Sequence, residues 1–187
     1  MAVCQNLIAI IDELAQDARQ VDGVAVEQLG DLILNSQRIF IAGAGRSGFA
    51  ARAFANRLMH LGFTVYFVGE PTTPSIQRGD LLVIGSGSGE TASLVTMANK
   101  AVKQGATLAT LTIFPQHTIG GLSAARIVIP GVTQKSSETS AKAASIQPSG
   151  SSFEQLSWLI YDSIIIRLKA IKQQTDEQMY YRHANLE

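Results

Sequence analysis

The stretch Arg38-Ile-Phe-Ile-Ala42 runs without a break into Gly43-Ala-Gly45-Arg46-Ser47-Gly48. A short β-branched and aromatic run stopped by glycine reads as a strand that ends in a tight turn. Beyond the turn, Ser47 to Leu61 is alanine-rich and helical, and Phe63 to Val68 reads as the next strand. The same order returns downstream. Leu81 to Ile84 is an apolar strand stopped by Gly85, and Ser86-Gly87-Ser88-Gly89-Glu90-Thr91 leads into a helix from Thr91 to Lys103. Thr107 to Ile113 and Arg126 to Ile129 read as two further strands, with a short helical turn between them. Strands apolar almost throughout belong in a parallel sheet covered on both faces. The alternation predicts an α/β fold, a three-layer αβα sandwich around a parallel sheet of about five strands.

Working outward, Val3, Leu7, Ile10, Leu14, Ala18 and Val21 recur at helical spacing, so residues 1–21 read as an amphipathic helix. A second helix covers Ala25 to Leu34. Towards the other end, residues 131–152 are rich in Ser, Thr, Lys and Ala. So long a connection is either functional or a solvated linker. A long helix then runs from Ser151 to Lys172. Its middle, Trp158 to Ile166, is apolar nearly all round, which predicts burial against the sheet on one side and against a second subunit on the other. The tail, Gln173 to Glu187, is polar, with Tyr180 and Tyr181 as anchors.

A chain of 187 residues fits one domain. Lys plus Arg and Asp plus Glu each total 15, so the net charge is zero and a nucleic-acid partner is not expected. Only 16% of the residues are charged, against roughly 25% in an average soluble domain. An oligomer would cover part of that deficit. Cys4 is the only cysteine, which precludes an intrachain disulfide. The first residues lack a basic leader, Asp12 and Glu13 interrupt the apolar stretch, and no run approaches a bilayer span. The expectation is a cytoplasmic protein without a membrane partner.

The first turn has the spacing of a dinucleotide fingerprint, with Glu70 as a late candidate for its ribose acid. That reading leaves the second turn unexplained. Glycines allow close backbone approach, a helix start supplies unpaired N–H groups, and Ser86, Ser88 and Thr91 add hydroxyl donors without charge. Together these point to a bound phosphate. No G-x-x-x-x-G-K-[ST] motif suggests a nucleoside triphosphate.

Ser86-Gly-Ser-Gly-Glu-Thr91 resembles the phosphosugar loop of SIS (sugar isomerase) domains, and Ala42-Gly-Ala-Gly-Arg-Ser-Gly48 resembles their first strand-to-helix turn. Asn56 to Gly62, Gly69 to Pro74, Pro148 to Glu154 and Arg182 to Glu187 look like the 6-phospho-3-hexuloisomerase family. The resemblance implies isomerisation of 3-hexulose 6-phosphate to fructose 6-phosphate, in the ribulose monophosphate route of formaldehyde fixation. It implies that Ser47, Ser86, Gly87, Ser88 and Thr91 hold the phosphate, and that no metal or organic cofactor takes part. It also implies a dimer or tetramer whose active sites are completed by neighbouring subunits.

Shifting a carbonyl between neighbouring carbons needs a base and a donor for the developing oxyanion. Glu154, one turn into the last helix, is the first candidate base; burial beside Phe153 and Leu156 would raise its pKa. Its alternative role is an exposed acid favouring the helix start. His60 and His183 are the candidate helpers, ahead of His117. His60 should lie about 20 Å from the first turn of its own chain, so it either favours its helix end or serves a neighbour. His183 sits on a tail that could fold over a partner's pocket. Arg46 reads as a contact to phosphate or a sugar hydroxyl, or as a surface ion pair. The competing functions are another SIS isomerase, such as one for arabinose 5-phosphate, a non-catalytic phosphosugar-binding module, and a nicotinamide-dependent dehydrogenase.

Overall fold

The computed structural model describes residues 2–132 and 145–186. The middle of the long connection, residues 133–144, and the end of the stretch from Arg182 to Glu187 lie outside the described residues. Two helices come first, α1 (Gln5–Ala18) and α2 (Gly23–Asn35). There follow β1 (Ile39–Gly43), α3 (Gly45–His60), β2 (Val65–Phe67), β3 (Leu81–Gly85) and α4 (Ala92–Lys103). The chain continues through β4 (Thr107–Thr112), α5 (Thr118–Leu122), β5 (Ala125–Val128), α6 (Ser151–Ile171) and α7 (Asp176–Tyr181).

The sheet has five strands in the order β2-β1-β3-β4-β5, and every pairing is parallel. Alternate side chains sort into two cores, as a pleated strand requires. Ile39, Ile41, Leu81, Val83, Ala109 and Leu111 face α2, α3 and α6. Phe40, Ala42, Leu82, Ile84 and Leu108 face α4 and Ile119 of α5. The three-layer αβα expectation therefore holds.

Some boundaries differ from the sequence reading. The strand expected over Phe63 to Val68 pairs only over Val65–Phe67, at the sheet edge. β5, at the other edge, alternates buried and exposed residues instead of being covered on both faces. The helix expected to start at Ser47 starts at Gly45, which puts Arg46 and Ser47 in its first turn. The polar tail contains the short helix α7, opened by a reciprocal pair of hydrogen bonds between Thr175 and Gln178.

α6 covers the sheet through Tyr161, Ile164, Ile165 and Leu168. Its opposite face leaves Trp158, Leu159 and Ile166 exposed in the single chain, and α1 likewise exposes Leu7, Ile8 and Ile11. No helix among the described residues is long and apolar enough to cross a membrane.

Candidate functional site

β1 and β3 are neighbours, with Gly43 opposite Gly85, although β2 lies between them in the chain. The connections leave these two strands in opposite directions, and such a reversal opens a crevice at the carboxyl ends of a parallel sheet. Both glycine-serine turns stand in that crevice. Gly45 has φ +58, in the left-handed region that favours glycine. A Cβ on Gly48 would stand 2.8 Å from the carbonyl oxygen of Gly43, so α3 can dock on the strand end only without a side chain there.

Three helices begin around one cleft of about 190 Å³, which is lined by both turns and by the start of α6. α3 starts after Ala44, α4 after Thr91 and α6 after Gly150, and none has a side-chain cap on its first-turn N–H groups. Asp22 and Thr175 show how this chain caps a helix elsewhere. The cleft thus collects unpaired N–H donors and the positive ends of three helix dipoles. That suits a phosphate, and among the described residues no lysine lines the cleft.

The serine loop is held from behind. The N–H of Gly89 donates to Ser86 Oγ at 3.2 Å, and that of Glu90 donates to Ser88 Oγ at 3.3 Å. Each hydroxyl keeps its own proton for a ligand oxygen. Thr112 Oγ1 donates to the carbonyl of Gly87 at 3.3 Å. His117 Nδ1 lies 2.7 Å from the carbonyl oxygen of Ser88, so that nitrogen carries the proton. Glu90 accepts from the N–H and hydroxyl of Thr118 at 2.6 and 3.0 Å, and these two bonds hold its carboxyl below the usual range. Glu90, Thr112 and His117 were not picked out as site residues by sequence reasoning. Glu90 stood inside the quoted motif, whereas nothing local marked His117 or Thr112.

Arg46, Ser47, Ser86, Gly87, Ser88, Thr91 and Glu154 all line this one cleft. Glu154, with 18% of its side chain exposed, turns to the cleft, where Phe153 also lines the wall, and pairs with Arg46; Leu156 points into the core. Arg46 is 66% exposed and makes the ion-pair contact, with the candidate base as its partner.

His60 and His183 are not brought to the cleft within one chain. They line a second depression, of about 440 Å³, together with Arg57 and Asp162. Their rings stack at 5.2 Å, so the tail folds onto the end of its own α3. Arg182 donates from Nη1 to the carbonyl of His60 at 3.2 Å and fastens it there. His60 Nε2 is buried without a partner among the described residues, and burial, then Arg57 and His183, hold the imidazole below its ordinary pKa. Glu70, the candidate ribose acid, is paired with Arg52 at 2.7 Å. Among the described residues no cluster of three or more His, Cys, Asp or Glu could hold a metal ion.

Residues 32–157 match the model of the SIS domain family. The chain is 45% identical over 187 residues to the 3-hexulose-6-phosphate isomerase of Bacillus subtilis (strain 168), with 100% of both chains aligned. It is 40% identical over 185 residues to the Mycobacterium gastri protein of the same name, covering 99% of this chain and 92% of that one. Among solved structures, a Methanococcus jannaschii protein at 2.0 Å resolution, from which a 3-hexulose-6-phosphate isomerase function was inferred, superposes with a TM-score of 0.81. It is 30% identical and covers 98% of this chain and 99% of its own.

Proposed function

The chain belongs to the SIS domain family, and from that premise we propose that it interconverts D-arabino-3-hexulose 6-phosphate and fructose 6-phosphate through an enediolate. The observation that carries this reading is a phosphate cradle of glycines and hydroxyls with Glu154 and Arg46 on its rim. The phosphate takes the floor, held by Ser47, Ser86, Ser88 and Thr91 with the N–H groups of Gly87 and the helix starts. The carbon chain then extends towards Glu154 and Arg46.

Glu154 removes the proton from C2 of the 3-ketose. The C–H electron pair forms the C2=C3 double bond, and the former carbonyl oxygen on C3 becomes the oxyanion. Glu154 returns its proton to C3 while the O2 hydroxyl proton passes to O3, which leaves the carbonyl on C2. Arg46, which pairs with the carboxylate, supplies the donor for that charge. One base that carries the proton between neighbouring carbons needs no cofactor.

The chain is read as one domain that works as a homo-oligomer, a dimer or a homotetramer. The exposed Phe49, Trp158 and Leu159 form an apolar groove beside Arg46 and Glu154, which supports contacts at the mouth of the cleft. His60 and His183, remote from their own cradle, are assigned to proton transfer in a neighbour's site. The substrate has the carbon skeleton of a pentulose 5-phosphate plus one formaldehyde carbon. This supports a place in the ribulose monophosphate route of formaldehyde fixation, in the cytoplasm.

Incubation with fructose 6-phosphate in deuterated water tests the reading. NMR should show 3-hexulose 6-phosphate and deuterium bound at C2 or C3. Neither product nor exchange, with binding intact, would identify a phosphosugar-binding module instead. Turnover of ribulose 5-phosphate in a parallel sample would identify an arabinose 5-phosphate isomerase.

A further inference from the structure

Tyr161 lies seven residues after Glu154 in α6, two turns along the same face. Its ring stacks on Phe54 of α3, with centroids 4.3 Å apart and planes 12° from parallel. The residue is 2% exposed, and its hydroxyl has no hydrogen-bond partner among the described residues. That oxygen reaches the end of β3. A Cβ built on Gly85 would stand 3.0 Å from it and 3.9 Å from the carbonyl oxygen of Ser47. Gly85 lies outside the left-handed region, so its missing side chain answers to this contact and not to backbone torsion.

An unpartnered buried hydroxyl is destabilising, and phenylalanine would keep the ring stacking without that cost. Burial pushes the phenol pKa well up, so the group stays neutral. Hydrogen bonding inside the fold therefore does not account for the oxygen, but its size does. It fills the space between α6 and the residue that precedes Ser86.

We infer that Tyr161 is a positioning residue of the cleft: its hydroxyl, wedged beneath Gly85, sets the distance between α6 and the serine loop and so fixes where Glu154 stands over the bound phosphosugar. The inference rests on the isomerase reading above for the role of Glu154, but the packing of Tyr161 against Gly85 stands apart from it. Shortening the wedge should misplace the base while the cradle stays whole. Adding a Cβ at Gly85 should push the loop instead.

Four proteins test this: the unaltered chain, Tyr161→Phe, Gly85→Ala and the double variant. Calorimetric affinity for fructose 6-phosphate, isomerase kcat and KM, and the thermal midpoint are measured on each. Tyr161→Phe should keep its affinity and hold or raise its midpoint while kcat falls about tenfold, as a small displacement of a reacting group would cause. Gly85→Ala should bind about tenfold more weakly, and adding Tyr161→Phe should restore affinity to within about twofold, because the two groups compete for one space. kcat of the double variant should stay at the Tyr161→Phe level. An unchanged kcat in Tyr161→Phe, or a double variant that binds no better than Gly85→Ala, overturns the inference. An unaltered chain that binds fructose 6-phosphate without converting it overturns the isomerase reading, and with it the role given to Glu154. The recovery of affinity in the double variant then still decides whether Tyr161 sets the loop.

Discussion

Two hydroxyls of the serine loop, those of Ser86 and Ser88, already accept backbone N–H groups, so each has one proton left to offer outward. Ser88→Ala should weaken fructose 6-phosphate binding about tenfold, the worth of one charge-assisted hydrogen bond. Calorimetry gives that number, and unchanged affinity would mean that the phosphate sits elsewhere. Glu154→Gln keeps the shape and removes the basicity. Its kcat should fall at least about a thousandfold while affinity moves little, and residual turnover near the normal rate would remove Glu154 as the base. The members of the serine loop were legible in the sequence because their pattern is local, hydroxyls and glycines within a few positions of a helix start. The partner of Glu154 was not. Arg46 lies 108 positions away, and only the packing of α6 on α3 brings the two together. The neighbours of Glu154 divide by helix geometry. A helix turns about 100° per residue, so Leu156 enters the core while Glu154 faces the cleft, with Phe153 at the boundary of the two.

The elements around the cleft were readable to different degrees. α6 ends within one residue of expectation, because a glycine-serine run precedes a long apolar helix. α7 was missed although Thr175-Asp-Glu-Gln178 spells a capping box, because so polar a segment carries no hydrophobic period. The clip between Glu90 and Thr118 ties the serine loop to α5. Glu90→Gln should loosen it and raise KM about threefold with kcat unchanged, since a neutral acceptor replaces a charged one. At the far end of α3 the sign of a pH effect can be worked out. His60 has a lowered pKa in the folded chain, so below about pH 6.5 the unfolded chain binds more protons than the folded one. Stability from this group is complete above that pH and is lost as pH falls towards the folded pKa. The thermal midpoint should therefore drop on acidification below about 6.5, and His60→Gln should flatten that drop.

At the scale of the whole molecule, the alternation of strands and helices was enough to read the sandwich, whereas the face proposed to meet another copy was legible only as an apolar excess on α6. Trp158 and Leu159 are about half exposed beside the cleft. Leu159→Glu should shift the protein to a monomer in light scattering and lower kcat/KM by about a hundredfold, because an interface would bury the introduced charge. A monomer that keeps full activity would confine the site to one chain. The three uncapped helix starts have a kinetic consequence. Partial charges on N–H groups act within about a turn and a chain of zero net charge casts only a weak long-range field, so a phosphosugar is met by diffusion with little steering. Raising the ionic strength from about 0.05 to 0.3 M should change its association rate by less than about twofold, unlike a site built on massed lysines. The protein would then take up its substrate at nearly the same rate in dilute and in concentrated salt.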